Sequence, residues 1–309
     1  MTAAGGVPVA PGWSRPQRTI AHPVEVSGPA LHGGELVRVR LLPAAAGCGI
    51  LFRRVDLPGR PEVPAEPASL QEATRSTQLG RGSAMIRTVE HLLAAAYGLQ
   101  VDNLEVEVDG PELPVGDGSA RLWVDRLQQA GIVTLPARRV WRTLPEPVVI
   151  EDQAAGVYLL AAPAATVSAL YVFHPPYPGQ TPQVASCCFA GHPRPEEECR
   201  SFAEEIAPAR TLAFAEEVDH LQEQGLGRGV TLAEVLVWGP QGPVTPARFP
   251  DEPARHKLLD LLGDFSLAGP VTARLVAIRA GHRHNAALVR KISQCLALAG
   301  GREQHGRGE

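Results

Sequence analysis

The sequence predicts an α+β protein made of two similar domains, each a β-sheet packed by helices. Alternating apolar and polar residues in VRVRL (37–41) and LEVEV (104–108) are typical of half-buried strands. TVEHLLAAAYG (88–98) and RLWVDRLQQAG (121–131) have helical composition and end at glycine. A similar mixture of elements returns in the second half of the chain, which predicts a second unit of the same kind.

The predicted elements of the second half follow the same reasoning. Three segments rich in β-branched and aromatic residues predict strands: VVIED, VYLLAA and ATVSALYVF. Two amphipathic segments predict helices: FAEEVDHLQEQG (214–225) and EPARHKLLDLLGDFSLAG (252–269). No close sequence repeat is visible, so the similarity of the two halves rests on element order alone.

A Pro-rich passage, residues 135–147, lies between the two halves. We place the boundary near residue 142, so that domain 1 spans residues 17–141 and domain 2 spans residues 142–299.

Both ends of the chain are expected to be flexible. Residues 1–16 lack a periodic pattern, and residues 300–309 are polar and rich in glycine.

Composition and charge narrow the function classes. The chain has 309 residues, 44% of them apolar, which suffices for a buried core in each domain. A formal charge of −4 without a block of Lys or Arg argues against a nucleic-acid partner. The N-terminal residues do not resemble a signal peptide, and no apolar run is long enough for a transmembrane segment. We therefore expect a cytoplasmic protein, and we expect a monomer.

The segment RHKLLDLLGD (255–264) carries His256, Asp260 and Asp264 at intervals of four, which places them on one helix face. Burying an imidazole and two carboxylates is costly unless a cation or mutual hydrogen bonds compensate. A histidine and an aspartate one turn apart can bind one Zn²⁺ together. The alternative is a solvated polar stripe on a surface helix, and the spacing alone does not decide.

Glu90 and His91 lie side by side at the start of another predicted helix, with Thr88 as its predicted N-cap residue. Catalytic zinc sites commonly use three protein ligands, and a nearby glutamate that is not a ligand can take the proton from water. His91 would complete such a set with His256 and Asp260, with Glu90 as base. Alternatively, Glu90 favours the helix dipole and His91 lies at the edge of the core.

Residues 279–285, RAGHRHN, supply two candidates for an acid. A histidine kept protonated by a carboxylate can donate to a leaving amine or stabilise an oxyanion. We prefer His282 because Gly281 before it permits close approach of the backbone to a ligand. Asp264 is its expected carboxylate partner, and His284 is expected at the surface.

Other catalytic motifs are absent from the sequence. It contains no HExxH, no GxxxxGK[ST] phosphate loop, no GxSxG and no dinucleotide-binding GxGxxG. Metal-assisted hydrolysis is therefore the leading class of chemistry.

Five stretches, taken in order, resemble one known family. They are QRTIAHPVEVSGPALHGG (17–34), TVEHLLAAAYGLQVDNLEVEVDGPELPVGDGSA (88–120), APARTLAF (207–214), EPARHKLLDLLGD (252–264) and AGHRHN (280–285). Together they resemble the UDP-3-O-acyl-N-acetylglucosamine deacetylase family, which removes an acetyl group from a sugar nucleotide in lipid A synthesis. The resemblance covers most of residues 17–295.

The resemblance implies zinc-dependent hydrolysis of the N-acetyl group of UDP-3-O-(3-hydroxyacyl)-N-acetylglucosamine, the committed step of lipid A biosynthesis. It also implies a role for each matching residue. The implied positions are zinc on His91, His256 and Asp260, the base on Glu90, and a charged imidazole supported by a carboxylate on His282 and Asp264.

The same resemblance implies substrate contacts and a fold. Thr211 is expected to hydrogen-bond the oxygen of the attacked carbonyl, and Lys257 to contact the diphosphate or the sugar. The implied fold has two similar α+β domains with the active site at their interface. A βαβ insert in domain 2, about residues 209–232, is expected to form a passage for the acyl chain.

Three positions depart from the family pattern. Leu212 follows the ART motif where the family often has an aromatic residue that contacts the sugar, and the segments 174–180 and 247–249 are altered. Two alternatives therefore stay open: a metal amidohydrolase of the same fold with a different N-acylated substrate, and a catalytically silent relative that acts as a binding or scaffolding protein.

Overall fold

The computed structural model describes residues 14–72, 75–189, 195–218, 223, 227–229, 231 and 234–305. The strands of the first half are β1 (Ser14–Ile20), β2 (Val24–Pro29), β3 (Leu36–Pro43), β4 (Ile50–Arg54), β5 (Glu62–Pro64), β6 (Gln78–Arg81), β7 (Ala84–Arg87), β8 (Leu104–Val108) and β9 (Ile132–Val140). The helices of this half are α1 (Glu90–Gly98) and α2 (Arg121–Gln129).

The strands of the second half are β10 (Arg142–Thr143), β11 (Val148–Asp152), β12 (Val157–Pro163), β13 (Val167–Phe173), β14 (Gln183–Phe189), β15 (Leu212–Phe214), β16 (Leu236–Gly239), β17 (Gly242–Pro243) and β18 (Val271–Ile278). Its helices are α3 (Pro195–Ser201), α4 (Glu252–Ser266) and α5 (His282–His305), and a π-helical turn (Phe202–Ile206) follows α3.

The two halves repeat one topology. The first sheet has the strand order β2-β3-β8-β4-β5, and the second has β11-β12-β18-β13-β14. Each central strand, β8 or β18, pairs antiparallel with one neighbour and parallel with the other. One helix precedes and one follows each central strand: α1 and α2 around β8, α4 and α5 around β18. The predicted α+β fold with two similar units is confirmed.

The boundary near residue 142 stays a prediction, although strand pairing changes there. β9, which ends at Val140, pairs with β1, whereas β10 pairs with β18 of the second sheet. The Pro-rich passage is therefore largely strand. Pro136 is tolerated there because, among the described residues, β9 pairs on one side only, and an edge strand does not need every backbone N–H for pairing.

Regular secondary structure extends beyond the predicted domain bounds at both ends. Residues 14–16, expected in the flexible arm, belong to β1 because they pair with β9 and because Arg15 forms an ion pair with Asp102 at 2.6 Å. Residues 300–305, expected in the tail, continue α5, since each added residue contributes one further helical backbone hydrogen bond. Residues 1–13 and 306–309 lie outside the described residues.

Helices α1 and α4 pack against each other at the centre of the molecule. Both are buried on nearly every side, as their high content of Leu and Ala requires. Gly263 makes their close approach possible. A Cβ atom at Gly263 would lie 2.2 Å from the carbonyl oxygen of Glu90 and 3.2 Å from the amide nitrogen of Ala94.

The predicted insert is described only in part. Its strand β15 pairs in parallel with β16, which extends the element beyond residue 232 to Gly239. A connection between parallel strands must cross over, as in a βαβ unit. Of the predicted helix 214–225, Phe214 ends β15 and residues 215–217 form a 3₁₀ turn, whereas most of the rest lies outside the described residues.

None of the helices described here combines the length and apolar character needed to cross a lipid bilayer.

Gly263→Ala is expected to destabilise the protein by about 1–3 kcal/mol, the usual effect of overpacking a core. The added methyl group must displace the backbone of α1. Chemical denaturation of both proteins measures the difference. Gly281→Ala is the matched control because a Cβ atom there meets nothing within 4 Å. Equal stability of Gly263→Ala and wild type would contradict the proposed packing constraint.

Candidate active site

The first turn of α1 is preceded by a strained residue. Thr88 has a φ of 57°, in the left-handed region that β-branched residues rarely adopt. Its hydroxyl donates to Oε1 of the buried Glu112 at 2.7 Å. The N-cap residue is Val89, so the predicted cap at Thr88 is wrong: the hydroxyl serves Glu112 instead of the helix. The bond to Glu112 helps to fix the chain just before Glu90.

The spacing of four on α4 places His256, Asp260 and Asp264 on a buried face, with at most 2% of each residue exposed. The alternative of a solvated surface stripe is wrong for this helix. His256 Nδ1 lies 3.1 Å from the carbonyl oxygen of Ala209. Because a carbonyl oxygen only accepts, Nδ1 carries the proton and Nε2 keeps its lone pair.

His91, His256 and Asp260 converge on one point. Asp260 Oδ1 lies 3.8 Å from His91 Nε2 and 3.4 Å from His256 Nε2. One donor atom from each residue lies within 4.8 Å of the other two, a separation that allows all three to bind one metal ion. The close packing of α1 on α4 thus brings the two predicted halves of the ligand set together.

The protonation of these groups suits a cation. Burial lowers the pKa of His91 to about 3, and burial also lowers the pKa of His256. Burial alone would raise the pKa of Asp260, but His256 and Lys257 outweigh it and keep this carboxyl ionised. Two neutral imidazoles and one carboxylate are the forms that bind a metal ion.

A buried oxygen supports the same interpretation. Asp260 Oδ1 is buried, yet it has no hydrogen-bond partner among the residues that the structure describes. Leaving a charged oxygen without a partner inside a protein is costly. A cation between Asp260 Oδ1 and the two Nε2 atoms would remove that cost, so the donor set fits a metal ion.

Glu90 lies beside this group and is 3% exposed. Its Oε2 accepts a hydrogen bond from the backbone N–H of Thr77 at 3.0 Å. Burial raises the pKa of Glu90 to about 8; Asp260 and Asp264 add to this rise, and His282 opposes it. A carboxyl group with such a raised proton affinity is suited to taking up a proton near neutral pH.

His282 and Asp264 form the predicted imidazole–carboxylate pair. His282 Nδ1 donates to Asp264 Oδ2 at 3.0 Å, and His282 Nε2 lies 4.0 Å from Glu90 Oε1. Burial would lower the pKa of His282, but Asp264 and Asp260 outweigh it and raise this pKa to about 9. His282 is therefore the charged imidazole of the site.

Sequence reasoning missed two residues that hold Asp264 in place. The Thr77 hydroxyl donates to Asp264 Oδ1, and Asn285 Nδ2 donates to Asp264 Oδ2 at 2.9 Å. Asn285 lay within a quoted segment, next to the histidine pair. Thr77 lay in no motif, and only its position before α1 could have drawn attention to it.

One pocket of about 470 Å³ joins most of the predicted site residues. Its lining includes Glu90, His91, Thr211, Leu212, His256, Lys257, Asp260 and His282. Asp264 lies behind His282 and does not line the pocket. His32, Arg75, Arg283 and His284 also line it; of these, sequence reasoning considered only His284, as the less favoured of two acid candidates. His284 was expected at the surface, but only 15% of its side chain is exposed.

Thr211 is held by the DGSA segment of the first half. Its backbone N–H donates to the carbonyl oxygen of Gly118 at 2.6 Å. Nearby, Arg248 Nη1 lies 2.8 Å from Asp117 Oδ2 and donates to the carbonyl oxygen of Pro208. The DGSA and ART motifs are therefore joined across the two halves, which positions Thr211 at the pocket.

Lys257 and Leu212 lie in the pocket wall. Lys257 Nζ donates to Asp260 Oδ2 at 2.9 Å, and a quarter of its side chain is exposed. The ammonium group of Lys257 therefore contacts Asp260, the proposed metal ligand, directly. The predicted substrate contacts of both residues stay predictions.

A metal-assisted hydrolase needs metal ligands, a base and a charged donor in one pocket. This mixed α/β fold brings together a three-residue group that could hold a metal, a buried carboxylate and an imidazole. A family model described as UDP-3-O-acyl N-acetylglycosamine deacetylase matches residues 17–294 of this sequence. The chain belongs to this family, as the resemblance of the five stretches implied.

Individual relatives support the same assignment over nearly their whole length. A protein of Trichormus variabilis is 42% identical, covering 92% of this chain and 99% of its own. A protein of Thermosynechococcus vestitus is 43% identical, covering 90% of this chain and 94% of its own. A protein of Chlamydia abortus is 39% identical, covering 91% of this chain and 98% of its own. Each of these three is named UDP-3-O-acyl-N-acetylglucosamine deacetylase.

Asp260→Asn is expected to weaken zinc binding more than about tenfold. Removing a residue that merely hydrogen-bonds a metal ligand already costs roughly tenfold, and here a ligand itself is changed. The substitution takes away the negative charge of the ligand group and keeps its volume. Metal content after dialysis against a graded chelator measures the loss. His22→Ala, at an exposed histidine, is the control. Unchanged zinc affinity in Asp260→Asn would contradict the ligand assignment.

Proposed function

We propose that this chain removes the acetyl group from UDP-3-O-(3-hydroxyacyl)-N-acetylglucosamine, giving acetate and the free amine, with Zn²⁺ as its metal ion. The observation that carries the proposal is Glu90 in one pocket with His91, His256 and Asp260. The names of the relatives supply the acylated sugar nucleotide, and the resemblance of the five stretches supplies the 3-hydroxyacyl group. The reaction would be the committed step of lipid A biosynthesis.

His91, His256 and Asp260 would hold the zinc ion through two imidazole nitrogens and one carboxylate oxygen, a set typical of catalytic zinc. When bound, zinc supplies Lewis-acid polarisation and lowers the pKa of a water molecule. The two Nε2 atoms are available for this role because both imidazoles are held neutral by burial.

Glu90 acts as the general base in this proposal. Its Oε2 is occupied by the N–H of Thr77, which leaves Oε1 to accept the proton of the attacking water. The anchored oxygen fixes the direction of the free one, so little conformational freedom is lost when water binds.

His282 acts as the charged donor. Asp264 holds its Nδ1, so Nε2 is the donor toward the substrate. His282 Nε2 and Glu90 Oε1 are 4.0 Å apart, close enough to contact the same amide group. Nε2 would stabilise the oxygen that becomes negative, together with the hydroxyl of Thr211. The proton for the leaving amine comes from His282 or from Glu90.

The remaining parts of the substrate are assigned to the pocket wall. Lys257 would contact the diphosphate or the sugar, and Leu212 would pack on the sugar. The insert that begins near residue 209 would accommodate the acyl chain. A cytoplasmic location and a monomeric state are part of the same proposal.

The decisive experiment measures acetate release from the acylated sugar nucleotide by the purified protein, before chelation, after chelation and after return of zinc. Loss and recovery of activity would support both the substrate and the metal. A folded, zinc-loaded protein that releases no acetate would contradict the proposed substrate and favour a different N-acylated compound, whereas a purified protein without bound zinc would favour a silent binding protein.

Glu90→Gln is expected to lower kcat by on the order of a hundredfold or more, the usual contribution of a general base, while zinc stays bound. The amide keeps the shape of the side chain but takes up no proton. Steady-state rates and metal content are measured on the same preparation. Glu35→Gln, at an exposed glutamate, is expected to retain both. Wild-type turnover in Glu90→Gln would remove this residue from the role of base.

The alternative candidate is a metal amidohydrolase that acts on a different N-acylated compound, and Leu212 after the ART motif is the observation that favours it. If the proposed substrate is right, removing its 3-O-acyl chain is expected to lower kcat/KM by on the order of a hundredfold or more, since each buried methylene contributes about 0.8 kcal/mol. Parallel assays with both sugar nucleotides measure this ratio. Equal rates with and without the chain would favour the alternative.

A further inference from the structure

A second cavity lies beside the C-terminal half of α1, while Glu90 and His91 occupy its first turn. The cavity has a volume of about 230 Å³. Leu93 and Tyr97 line it from α1, and Ser266 lines it from the end of α4. None of the residues assigned to the catalytic pocket lines this cavity.

The body of the cavity is apolar and aromatic. The ring of Tyr97 meets those of Trp141 and Phe189 edge to face, with centroids 6.3 Å and 5.4 Å away. The aliphatic side chains of Leu93 and Val167 complete this part of the wall. Such a surface favours a flat or compact apolar group.

One end of the cavity carries two arginines that share one carboxylate. Arg15 donates to both oxygens of Asp102, at 2.6 Å and 2.9 Å, and Arg139 Nε lies 3.2 Å from Asp102 Oδ1. Asp102 is buried, with 3% of its side chain exposed. These three groups together carry one net positive charge, and Glu198 adds a further carboxylate elsewhere in the lining of the cavity. Burial and Arg15 lower the pKa of Arg139, while Asp102 opposes them.

Four buried polar atoms of residues that line the cavity have no hydrogen-bond partner among the described residues: Arg15 Nε, Tyr97 Oη, Gln100 Oε1 and Arg139 Nε, the last of which only reaches ion-pair distance of Asp102. Gln100 is only 8% exposed, and its Nε2 donates to Glu198, which also lines the cavity, at 3.4 Å. Buried polar atoms are normally paired, because an unpaired one loses its hydrogen bonds to water. Three of these four atoms, all except Gln100 Oε1, can donate a hydrogen bond, so an acceptor group in the cavity would satisfy them.

We propose that this cavity binds a small organic monocarboxylate with an aromatic or short aliphatic body. The carboxylate would accept hydrogen bonds from Arg15 and Tyr97 and offset the excess charge of Arg15 and Arg139. The body would pack against Trp141 and Phe189. The site is distinct from the catalytic pocket, and the proposal does not depend on the proposed function.

The probe for this site is 2-naphthoate, titrated calorimetrically into the zinc-loaded protein, with the neutral 2-naphthamide as its matched control. We expect one molecule of 2-naphthoate to bind per chain, and the amide to bind about tenfold more weakly or worse, because hydrogen bonds to charged groups contribute that much. Binding that survives chelation of the metal supports a site outside the catalytic pocket.

Two variants test the location. Arg139→Gln removes the excess charge and is expected to weaken binding of 2-naphthoate about tenfold or more, whereas Arg138→Gln, at the exposed neighbouring residue, leaves it unchanged. Ala165→Phe places a bulky ring at an exposed position of the cavity wall and is expected to abolish binding without disturbing the core. Thermal unfolding of each variant checks that the fold is intact.

Four outcomes would overturn the proposal. They are no binding of 2-naphthoate to the folded protein, binding that chelation abolishes, equal affinity for the amide, and affinity that neither Arg139→Gln nor Ala165→Phe changes. The second would place the carboxylate on the metal ion, and the third would remove the role of charge.

Discussion

The close packing of α1 on α4 is the constraint from which the geometry of the catalytic pocket follows. His91 lies on one helix and His256 and Asp260 on the other, so their donor atoms meet only while the helix axes stay close. Gly263 permits this approach, because any larger side chain would meet the backbone at Glu90. Both helices are buried on nearly every side, which fixes their positions through contacts that have no direct part in the chemistry. The pocket is thus precise because the core around it is closely packed.

Burial of the site residues also sets their charges. Removal from water disfavours every charged form, so it raises the pKa of Glu90 and lowers that of His91. His282 escapes this rule because Asp264 and Asp260 lie beside it, and they keep its imidazole charged. Two histidines in one pocket therefore hold different charges for a reason that lies in their neighbours. Thr77 contacts both the raised-pKa carboxyl group and the carboxylate beside His282: its backbone N–H donates to Glu90, and its hydroxyl donates to Asp264.

The sequence predicted the fold class, and it predicted that His256 and Asp260 share one helix face, because both depend on local periodicity. Spacing of four along α4 places His256 and Asp260 on one face whatever surrounds the helix. Thr77 and the role of Glu112 could not be predicted in this way, since their contacts join segments far apart in the chain. The error at Thr88 has the same origin: a threonine before a helix predicts a cap, and only the fold brings the buried Glu112 within reach of its hydroxyl. Residues 14–16 were left outside domain 1 because their strand depends on pairing with β9, over a hundred positions away.

The repeated topology has a consequence for how the molecule assembles. Each repeat can form its sheet from contacts within its own stretch of chain, but the donor group takes His91 from the first repeat and His256 and Asp260 from the second. The three proposed donor residues therefore come together only when the two repeats are docked. A metal ion that binds the docked arrangement and not the separate repeats would add its binding energy to the contacts between them. The proposed metal centre would then stabilise the association of the two halves in addition to its part in the chemistry.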